Sequence, residues 1–395
     1  MTFPRRVDRV GEVKVSATSG FDYLTAPEPS GAWAAAVIAL ALLRRGRQSF
    51  VMMRSAAVLG IRFALLVFVL ASQPARAGEI GHFFPGLPNV RDLIVPDPGF
   101  YFIPYNAIYS ADRINDSSGD KVRGVTVKNP RTGASATIPV ETDVDVYAFA
   151  PTFVYISKWS PHGLKVGGFV TPTFSDASLN ASLGNENVGL NAKVDSSFGV
   201  GDLFVQPLWL GYAPPHWDLS FGYGFYAPVG RYGTREITIP LIGASARVEE
   251  PDNLGLGYWT HQPQGSVAWY PWTSKGTAVT SGLTWEINQE KKDFDFTPGQ
   301  RLTLNYGISQ YLPLLKSSAL LLELGPAGYS QWQVSEDSGS GGSDVRDQVH
   351  AIGGQIGLTY VPWSAVVNVK YLNEFAAEDR FQGHVVTITF AVKVF

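Results

Sequence analysis

The stretch that decides the fold is the last one, His384-Val-Val-Thr-Ile-Thr-Phe-Ala-Val-Lys-Val-Phe395. From Val386 to Val394 every second residue is apolar, and the residues between them are Thr, Ala and Lys. A period of two is that of a β-strand with one apolar and one mixed face. In an open soluble sheet such a strand would be an unprotected edge. In a closed barrel it pairs with the first strand, so the stretch predicts the closing strand of a membrane β-barrel.

The composition of the chain agrees with an all-β membrane protein. Aromatic residues make up 13% and glycine numbers 41, against 16% charged residues. These values suit strands, tight turns and the aromatic girdles of a barrel. After residue 77 no run of 18 or more apolar residues occurs, which excludes a helical span there. The chain has no Cys, so disulfides, thiol nucleophiles and thiolate metal sites are excluded.

The sequence divides into four predicted parts. Residues 52–77 have the features of a secretory signal peptide: a positive start, the apolar core Phe63–Ala71 and an Ala75-Arg-Ala77 cleavage site. Because a signal peptide belongs at the N-terminus, we interpret residues 1–51 as a non-native upstream extension without structure. Residues 78–98 have no strand period and are predicted to form a periplasmic leader or a small plug. Residues 99–395 are the predicted transmembrane antiparallel β-barrel.

Twelve segments of this region have strand character, and most are long enough to cross a bilayer at a tilt, for which about 9–11 residues are needed. They are 99–112, 143–158, 163–175, 198–212, 217–229, 254–271, 276–288, 300–313, 318–333, 347–362, 365–376 and 383–395. Short connections alternate with longer polar ones, which is the pattern of an outer-membrane barrel with short periplasmic turns and longer extracellular loops. Strands of a soluble sandwich, the competing fold, average only about five or six residues.

The short turns also repeat in chemistry. Tyr212-Ala-Pro214, Tyr270-Pro-Trp272, Tyr311-Leu-Pro313 and Tyr360-Val-Pro-Trp363 each combine Tyr and Pro at a strand end, twice with Trp. Proline has no N–H for the ladder and ends it. Tyrosine and tryptophan favour the headgroup level of a membrane. The turns therefore predict one rim of the barrel.

Alternation along the strands assigns polar residues to an inward face. The predicted lumen-lining residues are Asp218, Glu286, Arg301, Asn305, Glu323, Asn368, Lys370 and Glu374. A Lys or Arg facing lipid near the bilayer midplane costs roughly 2–4 kcal/mol, so charges collect in the lumen. These residues are interpreted either as a selectivity lining or as an ion-pair network that packs the lumen and holds it shut.

Several short motifs resemble a known family. They are Asp97-Pro-Gly-Phe-Tyr101, Asp112-Arg113, Gly199-Val-Gly-Asp-Leu203, Phe225-Tyr-Ala-Pro-Val-Gly-Arg-Tyr232 and Asn253-Leu-Gly255. In this order they are similar to the outer-membrane family linked to the phenol meta-degradation pathway, over about residues 83–395. The resemblance implies an outer-membrane channel that takes up aromatic or hydrophobic compounds. It implies no particular catalytic or binding residues.

The sequence thus predicts an outer-membrane channel or transporter for small aromatic or hydrophobic compounds in a Gram-negative bacterium. Its predicted partners are the solute, outer-membrane lipid and, through the C-terminal strand, the barrel-insertion machinery. Residues 78–395 carry 21 Lys and Arg against 30 Asp and Glu, a net charge of −9 that disfavours nucleic acid. No cofactor or metal site is predicted.

Two other functions stay open at this point. One is a structural or adhesive barrel with a closed lumen. The other is a barrel-wall lipid hydrolase, which would need Ser and His on adjacent strands near one rim. His261 and His350 are both expected near the outer rim but far apart, and the chain has no G-x-S-x-G motif. The sequence therefore predicts no catalytic residues.

Overall fold

The structure, a computed structural model, describes residues 14–17 and 81–395, apart from 129–134, 186–187, 240–243 and 251. The predicted upstream extension at 1–51, except for 14–17, and the predicted signal peptide at 52–77 lie outside these residues. The described residues form seventeen strands and two short 3₁₀ turns, at Pro161–Gly163 and Val361–Trp363. The strands are β1 (Lys14–Ala17), β2 (Gly99–Ile114), β3 (Gly124–Lys128), β4 (Ser135–Ile156), β5 (Lys165–Asn185), β6 (Val188–Asp195), β7 (Gly199–Tyr212), β8 (Trp217–Ala227), β9 (Thr234–Ile239), β10 (Ala244–Glu249), β11 (Thr260–Trp269), β12 (Thr277–Asn288), β13 (Arg301–Pro313), β14 (Leu320–Gln333), β15 (Gln348–Tyr360), β16 (Ala365–Glu378) and β17 (Phe381–Lys393).

Twelve of these strands close into an antiparallel ring. Their order around the ring is β2, β4, β5, β7, β8, β11, β12, β13, β14, β15, β16 and β17. The ring closes where β17 pairs with β2, with Val386 opposite Ile108 and Thr389 opposite Tyr105. This confirms the all-β, twelve-stranded antiparallel barrel and the role of the last strand. In the part of the chain that the structure covers, no helix has the length and apolarity needed to cross a membrane.

The two ends of the barrel differ. Short connections at 157–164, 213–216, 270–276, 314–319 and 361–364 lie at one end, which we call the short-turn end. The opposite, long-loop end carries connections that are longer, except the one at 379–380 between β16 and β17. It also carries the extra pairings of β3 with β4, β6 with β5, and β9 with β10. The strand β1 pairs with β6. The residues Gly99 and Lys393 both lie at the short-turn end.

Two regions depart from the predicted strand limits. The strands β4 and β5 run well beyond the predicted 143–158 and 163–175, because they continue to pair with each other past the ring, as at Val140 opposite Leu183. The predicted strand at 254–271 is shortened to β11 (Thr260–Trp269). Its first residues leave the ladder because the N–H groups of Leu254 and Gly255 donate to the carbonyl of Arg231 instead.

The wall separates an apolar outside from a polar inside. In β8, Trp217, Leu219 and Phe221 are about half exposed, whereas Asp218 between them is buried. The same alternation holds along β12, β13 and β16. Tryptophans of the short turns, Trp159, Trp272 and Trp363, are among the most exposed residues. The outer face thus suits acyl chains with an aromatic rim, and the core of the molecule is the lumen.

Candidate functional site in the barrel lumen

Residues 81–98, the inner segment, run through the lumen from one end to the other. Gly81 lies against the side chains of Glu286 and Arg301, at the long-loop end. The carbonyl of Pro98 accepts a hydrogen bond from Lys393 Nζ at 2.7 Å, at the short-turn end. The segment then continues directly into β2. It had been predicted as either a leader or a plug, and it lies inside the ring without adding a strand to it.

Polar side chains of the wall satisfy the backbone of the inner segment. The N–H groups of Phe83, Gly86 and Val90 donate to side-chain oxygens of Glu286 (2.9 Å), Asn305 (3.0 Å) and Gln355 (3.0 Å), respectively. Irregular backbone at membrane depth is tolerated only where it is buried in protein or lines a cavity. Buried N–H groups are almost always paired. The inward polar residues therefore provide the partners that a strand ladder would otherwise supply.

His82 fixes the inner segment at the long-loop end. Its Nε2 lies 2.9 Å from Asp202 Oδ2, and its Nδ1 lies 2.8 Å from Thr260 Oγ1. The ring stacks on Tyr226 with centroids 4.6 Å apart and meets the edge of Tyr258 at 4.8 Å. The side chains of His82 and Asp202 are both 3% exposed, so this contact is fully desolvated.

Asp202 also holds the long connection between β8 and β11. Its Oδ1 accepts the N–H of Gly230 at 2.9 Å, and its Oδ2 accepts the N–H of Leu256 at 2.8 Å. A single buried carboxylate on β7 therefore joins the wall, the inner segment and a loop at the same mouth of the barrel.

Arg91 fixes the inner segment towards the short-turn end. Its guanidinium donates to Ser309 Oγ at 2.8 Å and to the carbonyls of Lys275 and Gly276 at 3.1 and 2.9 Å. It lies 4.0 Å above the ring of Tyr311, and its Nε is 3.6 Å from Glu323 Oε1. The planar fork of arginine suits such multiple, directional donation.

The last residues of the inner segment, just before β2, form a surface ion pair with β5. Lys165 Nζ donates to Asp97 Oδ1 at 2.8 Å and to the carbonyl of Val95 at 3.2 Å. The hydrogen bond from Lys165 holds the pKa of Asp97 below its usual value, and this effect exceeds the opposite effect of burial. Both residues lie at the short-turn end, so this pair ties the end of the inner segment to the start of β5.

All eight predicted lumen-lining residues point inward and are at most 8% exposed. They do not form one cluster. Glu286 and Arg301 lie at the long-loop end. Asn305 and Lys370 contact the middle of the inner segment. Asp218 lies near the short turns, where it pairs with Lys275 at 3.0 Å. The others are Glu323, which accepts from Gln355; Glu374, which accepts from Tyr109 and Tyr329; and Asn368.

Arg301 belongs to a charge cluster that sequence reasoning missed. Both of its terminal nitrogens donate to the carboxylate of Asp347, and Arg380 Nη1 lies 3.1 Å from Asp347 Oδ1. Burial alone would raise the pKa of Asp347, but the two guanidinium groups outweigh it and hold this pKa below its usual value. Asp347 is the first residue of the predicted strand 347–362 and lies just before β15, and Arg380 lies between two strands. Alternation assigned neither residue a face, so no sequence signal identified them.

The inner segment leaves little free space. A cavity of about 10 Å³, measured as the space open to the centre of a water-sized sphere, lies beside its middle. A cavity needs about 10–15 Å³ on this measure to hold one water. Its lining includes Gly86, Asn305, Lys370 and Leu372. At this place the inner segment leaves less room than an aromatic solute needs.

The two histidines considered for a hydrolase lie in different places. His261 faces outward and contacts Tyr223 Oη at 2.8 Å. His350 Nδ1 lies 2.8 Å from Ser330 Oγ on the neighbouring strand, so a Ser and a His do meet near the long-loop rim. Within the described residues this is the only hydrogen bond of the His350 side chain, whose ring packs against Phe375. A third, orienting group is therefore missing from this pair. The described residues also contain no group of three or more metal-ligating side chains.

Several solved structures are similar to this one. An outer membrane channel from Pseudomonas putida F1 superposes with a TM-score of 0.48 at 15% identity, covering 79% of this chain and 99% of that chain. The beta domain of the Bordetella autotransporter BrkA gives 0.39 at 10% identity, covering 75% and 100%. A mutant of the monoaromatic hydrocarbon channel TodX gives 0.38 at 11% identity, covering 76% and 91%. No curated protein matches the chain.

A family model matches residues 111–390, which is more than half of the chain and takes in most of the strands of the ring. Four of the motifs that carried the resemblance, those at 112–113, 199–203, 225–232 and 253–255, fall within the matched range. So does Asp202, which anchors the inner segment. The chain therefore belongs to the family described as the MetA-pathway of phenol degradation.

Proposed function

We propose that the protein is an outer-membrane channel for small aromatic or hydrophobic compounds, and that the inner segment is a movable plug. The observation that carries this proposal is that the ring of twelve strands closes without the segment. Residues 81–98 fill the lumen but form no part of the wall. The wall can therefore stay intact when the segment moves, and a path through the barrel opens.

The energetics of the contacts support a plug that moves. The inner segment is held by hydrogen bonds between side chains and backbone, each worth roughly 0.5–1.5 kcal/mol, or 1.5–3 kcal/mol with a charged group. The wall is held by the continuous ladders of twelve strands. Displacing part of the segment costs far less than breaking the ring. Twelve strands also enclose a lumen between those of small filled barrels and the open porins of roughly 16–18 strands.

The lining of the lumen supports an aromatic or hydrophobic solute. Val90 of the inner segment packs with Tyr329, Leu372 and other buried apolar residues of the wall, and Phe84 and Tyr109 lie against them. Displacing the segment would uncover this apolar surface beside the inward charges. The description of the family, which refers to phenol degradation, supports the same class of compound. The apolar outer face and the exposed tryptophans of the short turns support a position in the outer membrane, in contact with lipid.

One observation favours a second function, a structural barrel whose lumen stays closed. Arg301, Asp347 and Arg380 form a buried charge cluster at the long-loop end. Removing one partner from such a cluster leaves an uncompensated buried charge, which is strongly unfavourable. A barrel built around this cluster and the inner segment would hold its shape without passing any solute.

The test compares uptake of a labelled aromatic compound by cells with and without the gene, together with conductance of the purified protein in planar bilayers. We expect faster uptake with the gene. We also expect deletion of residues 83–90 to raise conductance. Deletion of residues 335–342, an equally long piece of the loop between β14 and β15, serves as the control and should leave conductance unchanged. Equal uptake by both cell types would overturn the channel, and unchanged conductance after deletion of 83–90 would overturn the plug.

A further inference from the structure

Lys370 occupies an unusual position in the lumen. It projects from the middle of β16 and is 2% exposed. Its Nζ donates to the carbonyl of Pro88 at 2.6 Å and lies 3.4 Å from that of Leu87. Within the described part of the chain it forms no ion pair with a carboxylate. The carboxylates of Asp92 and Glu323 act on its charge only from beyond ion-pair distance. A buried cation that lacks a direct counter-charge is costly. Neutral donors could also bind the carbonyls of Leu87 and Pro88, so these two contacts do not by themselves explain why a charged residue is buried here.

The wall beside Lys370 carries buried polar atoms without partners. In the ladder between β16 and β17, Lys370 lies opposite Thr387, and Asn368 lies opposite Thr389. Both amide atoms of Asn368 and the hydroxyls of the two threonines have no hydrogen-bond partner. All three residues are at most 2% exposed. An unpaired buried polar group costs about 1–3 kcal/mol, so a row of them points to groups that bind something other than the chain itself.

The small cavity continues this polar surface on the other side of Lys370. Three further buried atoms without partners belong to residues that line it: Asn305 Nδ2, Thr280 Oγ1 and Asn89 Oδ1. Leu372 and other apolar side chains complete the lining. The region therefore combines one cation, several neutral donors and acceptors, and an apolar wall, with no carboxylate in the lining.

We propose that Lys370, with Asn305 and Asn368 beside it, is the specificity site of the channel and binds small aromatic oxyanions, such as phenolates. This inference rests on the proposed function. A negatively charged oxygen forms a stronger hydrogen bond with an ammonium group than a neutral carbonyl does. Such a solute therefore displaces the carbonyl of Pro88 from Lys370, and its ring replaces apolar contacts of the inner segment. An aromatic cation meets a like charge at the same place and is rejected.

The chain offers a matched control for Lys370. Lys393 Nζ also donates to a carbonyl of the inner segment, that of Pro98, at 2.7 Å. It lies at the short-turn rim and not in the cavity. Replacing either lysine with Gln removes one charge and the hydrogen bonding of its ammonium group to carbonyls of the segment. Only Lys370→Gln removes the charge from the proposed site.

The experiment measures equilibrium binding of para-nitrophenolate and of benzyltrimethylammonium to the purified, folded protein in detergent. We expect the wild type to bind the anion and not the cation. Lys370→Gln should weaken binding of the anion by about tenfold or more, which is roughly 1.4 kcal/mol. Lys370→Arg should retain binding, and Lys393→Gln should bind as the wild type does. If Lys370→Gln does not fold, Asn368→Ala takes its place with the same expected direction.

Three results overturn the inference: no binding of para-nitrophenolate by the wild type, equal binding by the wild type and Lys370→Gln, or equal binding of the cation. Each can occur while cells with the gene still take up aromatic compounds, in which case only the specificity site fails. Loss of the uptake difference between cells with and without the gene overturns the proposed function itself.

Discussion

His82 Nε2 lies 2.9 Å from Asp202 Oδ2 although the two residues are 120 positions apart in the chain. The contact joins an aperiodic segment to the wall at the long-loop mouth. Because Asp202 also accepts the N–H groups of Gly230 and Leu256, movement of the inner segment at this point changes the surroundings of the loop between β8 and β11. The mouth of the barrel and the contents of its lumen are therefore mechanically connected.

Removing the imidazole should release this end of the inner segment. His82→Ala loses both ring hydrogen bonds and leaves the carboxylate of Asp202 without its side-chain partner. Losing the partner of a buried polar group costs roughly 1–3 kcal/mol. We expect higher conductance and more frequent opening in planar bilayers. His261→Ala is the control, because His261 follows Thr260 in β11 but faces outward and contacts Tyr223. Wild-type conductance in His82→Ala would show that this contact does not hold the segment.

Substitution of a glycine in the middle of the inner segment provides a second test. Gly86 has φ +74°, and a Cβ there would lie 2.7 Å from Leu372 Cδ1 and 2.8 Å from Tyr329 Cδ1. Gly119 has a similar φ of +78°, but its nearest neighbour would be 3.6 Å away. Left-handed backbone costs an L-residue about 1–2 kcal/mol at either position. Gly86→Ala adds a clash with the wall, so it should raise conductance, whereas Gly119→Ala should not. Equal behaviour of the two variants would contradict the tight fit of the segment.

The strands could be read from the sequence because alternation is a local signal. In β12 and β13 the order of apolar and polar residues alone placed Glu286, Arg301 and Asn305 inside, where the structure has them. The ring followed from the last strand, which would be an unprotected edge in an open sheet and is paired on both sides in a closed barrel. The extension of β4 and β5 was missed because their outer parts are polar and pair outside the ring.

The inner segment could not be placed in the same way. Residues 81–98 have no period, and their partners come from distant strands, as when Val90 donates to Gln355. Which side chains of the wall contact these residues depends on the register in which the strands of the ring pair. The same holds for Ser330 and His350, which lie opposite each other in the ladder between β14 and β15. Reasoning from the His positions alone found His261 and His350 too far apart for a hydrolase site and overlooked the serine opposite His350.

The stability of the long-loop end should depend on acid pH through Asp347. Arg301 and Arg380 lower the pKa of its carboxyl in the folded state against the opposing effect of burial. A group whose pKa is lowered on folding stabilises the fold above its unfolded pKa, about 3.9 for Asp. That contribution disappears as the pH falls through the lower, folded value. Asp347→Asn should therefore be less stable than the wild type at neutral pH, and the two should converge in acid.

The measurement for Asp347 is thermal unfolding of the detergent-solubilised barrel, followed by circular dichroism, from about pH 7 to about pH 2. Asp344→Asn is the control, because Asp344 belongs to the same connection but is exposed. It should change the melting temperature little at any pH. A difference between the wild type and Asp347→Asn that stays constant into strong acid would mean that the carboxylate charge is not what stabilises this end.

Whether the outward face contacts lipid can be tested by placing a charge on it at two different depths. Leu283 is 45% exposed in the middle of β12, next to the buried Thr284, and Leu314 is 49% exposed in a short turn. If the exposed leucines contact lipid, Leu283→Arg should lower the free energy of unfolding by roughly 2–4 kcal/mol, and Leu314→Arg by about 0–1 kcal/mol near the interface. Reversible urea unfolding from phospholipid vesicles measures both values. In water the two exposed positions would tolerate arginine equally, so equal losses would mean that the band of apolar side chains around the ring does not lie in a bilayer.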